Sequence, residues 1–585
     1  MFKKKIIKDS VHNYIEIEEP YFKIIDTSGF QRLKSIKQTS YASLYPSSTH
    51  DRFTHSLGTY CLGKKVIDSV FSNMTIDHSI NGIAGLENSI KYTFNIACLL
   101  HDFGHAPFSH TGENFYKFKK IPEAEEFKFY NKYIKVNKIR DFSYIDFLLI
   151  EELCKALNCT VSDDNKVLSA FLDDYVNTLR EDSAKPHEKM SALLALRQLS
   201  TQINEIAESV RNDENDGTDF IPDLFIRCII GTVYKNTPGK NSFLNAIINL
   251  LNSDCIDVDK LDYLMRDTYM TGHKSTSIDI DRLISSFTIV NDSGNKCRLA
   301  FKKKGLSIIE SVILASDSSK RWVQNHPVIM YDSYLTQRCI SEMICLLESE
   351  DSNFFDKLFS VDALTEKGID IAGEHYFLLS DYDLLGLFKK AYNKAILESN
   401  KIAIDVFKEY FSRDERKHPL WKSEMEFNVC FNDPRMTTAE SETSNSIKAA
   451  IQSINDITIK ETGVNQLIFN NETLLKYKDI IPNNAKTFLN AMNLFYQRNG
   501  KVFDIAILST SGFETKLGKL KRRDFFVEMP EYGLSSWNQD GCLYPYKNLV
   551  TINESKGQNL FYFYSREKID IKSLLEFLFM ENWQS

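Results

Sequence analysis

The sequence predicts a mainly α-helical fold that ends in a smaller α+β lobe. Amphipathic patterns with helical spacing dominate the first two-thirds of the chain, and only 23 Gly and 13 Pro interrupt its 585 residues. Near residue 420 the character changes, and short apolar runs typical of strands follow. A chain of this length can form two or more separately packed lobes.

The N-terminal segment is predicted to be extended, because residues 14–17 (YIEI) show the alternation typical of a strand. We therefore expect a short hairpin over residues 5–17. Helical periodicity then continues with few interruptions. The predicted helices cover residues 21–38, 56–72, 89–100, 144–157, 167–179, 187–210, 223–234, 242–251, 260–267 and 306–347.

Three regions are predicted from these patterns. Residues 1–345 form the main helical domain, with an insertion at about 116–186, and residues 346–420 form a helical extension. Residues 421–585 form the α+β lobe. Within that lobe, the runs at 427–431, 502–508 and 559–564 are strand-like, and 571–581 is typical of a closing helix.

Composition excludes several classes of function. The net charge of -8 gives no global basic field for nucleic acid. The basic run KLGKLKRR at 516–523 can contact nucleic acid or an acidic partner, but a solvated face is the simpler interpretation. No apolar run approaches the roughly 18 residues of a membrane span. Eleven cysteines without CxxC pairs indicate reduced thiols, so we predict a cytoplasmic protein without membrane contact.

Four segments carry residues suited to phosphate chemistry: 48–58, 98–110, 185–188 and 257–267. A His, a His-Asp pair and a later Asp supply two nitrogens and two carboxylates, which leaves positions open for water and substrate oxygen. Such a shell suits Mn, Fe, Zn or Co. Further histidines can protonate a leaving alkoxide near neutral pH, and Arg52 and Lys260 supply cations for a polyphosphate.

Over about the first 290 residues the chain resembles the HD-domain phosphohydrolases, named for their H…HD…D order. The sequences around these residues are similar to those of the deoxynucleoside triphosphate (dNTP) triphosphohydrolases, which include bacterial dGTPases and the vertebrate SAM- and HD-domain enzymes. A helical HD-domain core is therefore expected. The matching segments, in the family's order, are DSVHNYIEI (9–17), IIDTSGFQRLKSIKQ (24–38), HDRFTHSLG (50–58), LLHDFGHAPFSH (99–110), HEKMSALL (187–194) and DVDKLDYLMRD (257–267).

The resemblance implies a metal-dependent reaction in which water attacks the α-phosphorus and releases a deoxynucleoside and intact triphosphate. His110 would be the general acid, supported by His105 and His187. Mg²⁺ would accompany the substrate triphosphate. The implied ligands of the transition metal are His55, His101, Asp102 and Asp259.

The resemblance also implies how substrate is held. Arg52 and Lys260 would grip the triphosphate, Tyr263 and Asp267 would lie beside the sugar, and Gln38 would lie near its 3′-hydroxyl. Relatives assemble as homo-oligomers around an activator nucleotide. The residues that match such an activator site are Lys5, Asp26, Gln31 and Lys34.

Two positions depart from the family pattern and leave alternatives open. Thr39 stands where the family carries a leucine that helps to exclude a 2′-hydroxyl, and Lys34 replaces an arginine, which loses bidentate geometry. One alternative is a phosphohydrolase for another nucleotide, either an NTP or a signalling nucleotide. Another is a nucleotide-sensing or nucleic-acid-binding module that keeps the fold without catalysis. His12 and His50 are expected to be structural.

Overall fold

The structure is a computed structural model of the 585-residue chain. It confirms a mainly α-helical protein with an α+β lobe. The residues that it describes are 3–74, 82–118, 143–159, 165–181, 184–214, 218–235, 237–253, 256–273, 277–457, 468–510, 526–529, 533–536 and 560–580.

The chain divides into two compact units that interleave along the sequence. One comprises Met1–Ser319, Asn353–Leu384 and Thr515–Ile552, and the other Lys320–Ser352, Leu385–Glu514 and Asn553–Ser585. The domains predicted from the sequence were contiguous, and their boundaries at 345 and 420 stay predictions.

The predicted N-terminal hairpin is confirmed. Strands Lys4–Asp9 and Asn13–Glu18 pair antiparallel, with Lys4 opposite Glu18. The single helix predicted over 21–38 is wrong: the chain forms Glu19–Ile25, Ser28–Gln31 and the 3₁₀ turn Arg32–Ser35. The helix restarts because the Thr27 side chain accepts a hydrogen bond from the Phe30 N–H and caps a new N-terminus.

Three helices of the first unit position the site. Arg52–Asn73 begins at Asp51, whose side chain accepts from the Thr54 N–H, and packs on Glu87–Leu100 and Val258–Thr271. Helix Val258–Thr271 begins at Asp257, whose side chain accepts from the Lys260 N–H. The other described helices that begin in this unit are His110–Glu113, Tyr144–Ala156, Lys166–Glu181, Pro186–Glu214, Pro222–Ile230, Lys240–Leu251, Ile280–Ile284, Leu306–Ser319, Phe354–Leu358 and Asp381–Leu397, with 3₁₀ turns Tyr41–Ser43, Asn114–Phe118, Lys303–Gly305 and Asp362–Leu364.

The first unit also contains strands that periodicity did not predict. Phe287–Asn291 and Cys297–Lys302 pair antiparallel, and Phe526–Met529 and Gly533–Ser536 extend them into one four-stranded sheet. A small hairpin pairs Ile369–Ile371 with Glu374–Tyr376.

The continuous helix predicted over 306–347 is also wrong. Leu306–Ser319 is followed by a π-helical turn at Lys320–Gln324 and by a second helix, Pro327–Leu347. Pro327 lacks an N–H and cannot sit inside a helix, but it suits the first turn, where His326 caps by accepting from the Val328 N–H.

The second unit carries the α+β lobe. Its antiparallel sheet runs in the order His418–Pro419, Leu560–Ser565, Asp504–Thr510 and Ile468–Asn470. The strands predicted near 502–508 and 559–564 and the closing helix, Ile571–Met580, are confirmed. Its other helices are Pro327–Leu347, Lys401–Phe411, Glu424–Phe431, Thr438–Asn455, Asn471–Lys476 and Asn483–Arg498, with the 3₁₀ turn Arg413–Glu415.

The strand predicted at 427–431 is wrong, because this segment lies in helix Glu424–Phe431. The Ser423 side chain caps the helix by accepting from the Glu426 N–H. Phe427, Cys430 and Phe431 are buried, and their i, i+3, i+4 spacing is that of one helical face.

Among the described helices of the whole chain, none is both long and apolar enough to cross a membrane.

Candidate active site

The four residues predicted as metal ligands come together and are called here the ligand cluster: His55, His101, Asp102 and Asp259. His55 lies in the first turn of Arg52–Asn73, and Asp259 lies in the first turn of Val258–Thr271. His101 and Asp102 directly follow helix Glu87–Leu100. Because the three helices pack together, residues separated by more than 200 positions meet at one point.

The spacing of the donor atoms suits a single ion. His55 Nε2 lies 3.0 Å from Asp259 Oδ1, 3.3 Å from His101 Nε2 and 3.5 Å from Asp102 Oδ2. His101 Nε2 lies 3.5 Å from Asp102 Oδ2 and 3.6 Å from Asp259 Oδ1. Two ligands bound to one ion at about 2.1 Å are separated by about 3.0–3.5 Å, so His55, His101 and Asp259 have the spacing of ligands of one divalent ion, and Asp102 Oδ2 lies 3.5 Å from the Nε2 atom of each histidine.

The electrostatics of the ligand cluster favour a cation. His55, His101 and Asp102 are buried, whereas the Asp259 side chain is 36% exposed, which leaves one open side. Burial opposes ionisation, but hydrogen bonds to Asp259 and Asp262 raise the pKa of His55 to about 10. Burial likewise raises the pKa of Asp102, but Arg52 and His101 together hold it well below its usual range. Positive charge is therefore strongly stabilised here, and a divalent ion would supply it.

Asp262 orients His55, a role that our sequence reasoning missed. Its Oδ2 lies 2.7 Å from His55 Nδ1, which leaves Nε2 free for a metal. Arg266 donates to Asp262 from Nε and Nη2 at 2.8 and 3.0 Å, and also to Asp9 at 2.9 Å. His12 Nε2 lies 2.5 Å from Asp262 Oδ1, consistent with the structural role expected of His12. The i, i+3 spacing of Asp259 and Asp262 was the available signal, since it places both on one helix face.

Gly58 allows this arrangement. A Cβ at this position would overlap Asp262 Oδ1 and the Arg266 guanidinium. Helix Arg52–Asn73 can therefore approach helix Val258–Thr271 closely only with glycine here.

A second group, called here the histidine–glutamate cluster, contains His105, His110, Glu113 and His187. His187 Nδ1 lies 2.5 Å from Glu113 Oε2, and His110 Nδ1 lies 3.3 Å from Glu113 Oε1. The rings of His105 and His187 stack with centroids 4.1 Å apart and an interplanar angle of 12°. The structure thus brings together all three histidines predicted for proton transfer. It adds Glu113, which our sequence reasoning missed because nothing in its local pattern marks it.

The two clusters are linked through Asp102. His105 Nε2 lies 3.0 Å from Asp102 Oδ1, whose other oxygen faces the ligand cluster. Burial and the nearby Arg52 lower the pKa of His105 well below its usual range, so this imidazole is neutral. Neither ring nitrogen of His105 has a well-directed hydrogen-bond partner, although the side chain is fully buried.

The loop that carries His110 is held in a special conformation. Phe108 and Ser109 have φ values of 59° and 54°, in the left-handed region. Asp381 accepts from the Phe108 N–H at 2.7 Å and from the Lys37 N–H at 3.0 Å. Asp381 therefore fixes this loop relative to the segment that leads to Gln38, another role that sequence patterns did not indicate.

Arg52 and Lys260 are engaged in ion pairs. Arg52 donates from Nη1 to Asp102 Oδ2 at 2.6 Å and from Nη2 to the Gln38 carbonyl at 3.1 Å. Lys260 donates to Asp257 Oδ2 at 2.6 Å. Arg52 thus lies between the ligand cluster and Gln38. Arg52 and Gln38 were both predicted to contact substrate.

The residues predicted beside the sugar follow the ligand cluster. Tyr263 and Asp267 lie one and two turns after Asp259 on its helix. Asp267 accepts from His50 Nε2 at 2.9 Å, which gives His50 the structural role expected of it. Gln38 Oε1 and Thr39 Oγ1 are among the buried side-chain atoms that lack a hydrogen-bond partner in the described structure.

The residues predicted for an activator site lie near the N-terminal hairpin. Lys5 Nζ is 3.4 Å from Asp26 Oδ1. Gln31 donates to the Ile25 carbonyl at 2.7 Å, and the Lys34 ammonium lies 4.6 Å from the centre of the Phe53 ring. Lys5 and Asp26 are thus brought together, while activator binding and oligomer formation stay predictions. The basic run at 516–523 and residues 119–142 of the predicted insertion lie outside the described residues.

Comparison with known proteins supports the same family. The chain is 25% identical over 405 residues to an uncharacterised protein of Methanocaldococcus jannaschii, which covers 69% of this chain and 63% of that protein. It is 27% identical over 365 residues to the deoxynucleoside triphosphate triphosphohydrolase SAMHD1 of Gallus gallus, covering 62% and 49%. It is 24% identical over 335 residues to a protein of Acanthamoeba polyphaga mimivirus named as HD domain-containing, covering 56% and 55%.

The chain spans about half to two-thirds of the length of these three relatives. No family model matches the chain. The names and the clusters able to hold a metal ion support a hydrolase of the HD superfamily.

Proposed function

We propose that this protein is a metal-dependent dNTP triphosphohydrolase, which releases deoxynucleoside and inorganic triphosphate. The observation that carries the proposal is the ligand cluster, in which the two histidine nitrogens lie 3.0–3.6 Å from the carboxylate oxygens and Asp259 is on the open side. The histidine–glutamate cluster adjoins it through Asp102. Relatives named as dNTP triphosphohydrolases support the substrate class.

The metal would be held by His55, His101, Asp102 and Asp259. When bound, such an ion acts as a Lewis acid toward a phosphoryl oxygen and lowers the pKa of water. Mn, Fe, Zn and Co all suit this mixed nitrogen and oxygen shell. Asp262 and the Cys98 carbonyl, 2.9 Å from His101 Nδ1, keep both imidazoles turned with Nε2 inward.

The protein's own groups would handle the triphosphate. Arg52 lies 2.6 Å from Asp102 and would exchange part of this ion pair for substrate oxygens, because guanidinium groups bind phosphate in a bidentate manner. Lys260 would do the same from Asp257. Mg²⁺ would accompany the triphosphate and neutralise the charge that these two side chains leave uncompensated.

Proton transfer to the leaving 5′-oxygen would come from His110. Its side chain is 54% exposed and can therefore reach bound substrate, while Glu113 holds its Nδ1 at 3.3 Å. Glu113 also holds His187, and His187 stacks on His105. Burial lowers the pKa of His110, and the hydrogen bond to Glu113 opposes this effect, so the ring can give up its proton readily and be recharged from solvent.

A nucleotide panel tests the proposal. Purified protein is incubated with Mn²⁺ and Mg²⁺ and each dNTP, and the products are identified by chromatography. We expect deoxynucleoside and triphosphate in equal amounts. Release of only phosphate, or of pyrophosphate with a nucleoside monophosphate, would contradict cleavage of the bond between the α-phosphorus and the 5′-oxygen.

A second candidate is hydrolysis of ribonucleoside triphosphates, favoured by one observation. Thr39 Oγ1 is buried and unpartnered next to Gln38, whose Oε1 is also unpartnered, so the segment can offer hydrogen bonds to two neighbouring hydroxyls. A competition assay between each dNTP and its NTP separates the candidates. If the 2′-hydroxyl is accepted through Thr39, Thr39→Val lowers NTP turnover about tenfold and leaves dNTP turnover unchanged.

A further inference from the structure

We propose that the histidine–glutamate cluster is a second, weaker site for a divalent ion of the Zn²⁺ class, and that an ion bound there inhibits the enzyme. The binding part stands on geometry alone. The inhibitory part rests on the proposed function, because it requires His110 to act as the proton donor.

The donor set is suited to zinc. His105, His110 and His187 offer three imidazole nitrogens and Glu113 offers a carboxylate, and one ligand atom from each lies within 4.8 Å of all the others. Three nitrogens and one carboxylate is a ligand combination that Zn²⁺ and Co²⁺ favour. The ligand cluster, with two carboxylates, is by contrast richer in oxygen.

An independent observation points to a missing ligand. His105 is fully buried, and in the described structure its Nδ1 has no hydrogen-bond partner, while its Nε2 lies 3.0 Å from Asp102 Oδ1 without a well-directed hydrogen bond. A buried unsatisfied nitrogen costs free energy, which a cation bound to Nδ1 would recover.

The site must be weaker than the ligand cluster for two reasons. Its widest-spaced donors would have to approach by about 1 Å before all four reach an ion at about 2.1 Å. Binding also breaks the contacts of Glu113 with His187 and His110, which lie at 2.5 and 3.3 Å. In the ligand cluster, His55, His101 and Asp259 already lie 3.0–3.6 Å apart, so it fills first.

Occupancy of the second site would block turnover. An ion bound to His110 prevents this imidazole from taking up the proton that it would donate. It also draws Glu113 away from its contact with His110 Nδ1. Activity should therefore rise as the first ion binds and fall as the second binds. Zinc would act as an inhibitor at concentrations above those that load the ligand cluster.

Equilibrium dialysis of the full chain against Zn²⁺ tests this inference. Wild type should bind one tight and one weaker ion per chain. Glu113→Gln and His110→Ala should each lose at least tenfold in affinity for the weaker ion only. Asp259→Ala should lose the tight one. Glu188→Gln removes a neighbouring carboxylate outside the cluster, and His375→Ala removes an exposed histidine, so both should retain two ions.

The outcomes are separable from those of the proposed function. One ion per chain in wild type, or an unchanged weaker ion in both Glu113→Gln and His110→Ala, overturns the second site. Inhibition of wild type by Zn²⁺ should have the midpoint of the weaker ion, and a clearly different midpoint overturns the inhibitory role. If no nucleotide is hydrolysed under any metal condition, the proposed function fails while the dialysis result still stands.

Discussion

The ligand cluster and the histidine–glutamate cluster are linked through Asp102 but differ in composition and exposure. In the first, two carboxylates face two histidines at 3.0–3.6 Å, and burial makes the absence of a cation costly. In the second, one carboxylate serves three histidines, and its member His110 is 54% exposed. We propose that the first arrangement holds the catalytic ion and that the second passes protons during turnover.

The two clusters keep their carboxylates ionised through different partners. Burial raises the pKa of Asp102, but Arg52 and His101 hold it well below its usual range. Burial also raises the pKa of Glu113, but His187 and His110 hold it well below its usual range. Under the proposed function, one histidine-rich segment, 101–110, supplies both a metal site and a proton path.

Loss of a ligand should have the largest effect. Asp259→Ala removes the carboxylate on the open side of the ligand cluster, and we expect turnover to fall by about 1,000-fold or more, because the metal supplies several kcal/mol of stabilisation. Metal content measured after dialysis should fall with it. The control Asp281→Ala, in an exposed helix, should retain both, and full turnover in Asp259→Ala would refute the assignment.

Loss of the proton donor should reduce turnover without loss of metal. His110→Ala is expected to lower kcat by about 100-fold or more, the usual contribution of a general acid. Because the side chain is half-exposed, the fold should persist. His375→Ala, an exposed histidine paired with Asp370, is the matched control. Reduced metal content at the ligand cluster in His110→Ala would contradict the assignment of separate functions to the two clusters.

A smaller effect is expected from the residue that orients His55. Asp262→Asn leaves His55 Nδ1 with a neutral partner, and such changes typically cost 10–100-fold in metal affinity. Asp267→Asn, on the same helix but paired with His50, should leave metal affinity unchanged. Equal affinities in the two variants would show that His55 does not need this support.

The smallest effect concerns stability rather than turnover. Burial raises the pKa of Asp381 from 3.8 to about 6. The folded protein then holds this proton more tightly than the unfolded chain. The stabilisation that results is fully present below about pH 4 and is lost as pH rises through about 6. The loss amounts to about 3 kcal/mol. Urea unfolding should therefore show that the free energy of unfolding of Asp381→Asn, relative to that of wild type, rises by about 3 kcal/mol between pH 4 and pH 7. The same difference between the two proteins at both pH values would contradict this prediction.

Sequence patterns predicted the chemistry better than the connections between helices. His55, the His101-Asp102 pair and Asp259 were identified because their segments occur in the order of a known family. The breaks after Asp26 and before Pro327 were missed because apolar periodicity continues across them. Glu113 and Asp381 were missed because their roles depend on partners 74 and 273 positions away, which no local pattern encodes.

Position-resolved hydrolysis tests the central claim most directly. Wild type is incubated with a dNTP in ¹⁸O-water under metal loading, and the products are examined by mass spectrometry. Attack of water on the α-phosphorus places one ¹⁸O in the triphosphate and none in the deoxynucleoside, and Asp259→Ala should yield neither product above background. Label in the nucleoside hydroxyl, or release of a nucleoside monophosphate with pyrophosphate, would contradict the proposed reaction.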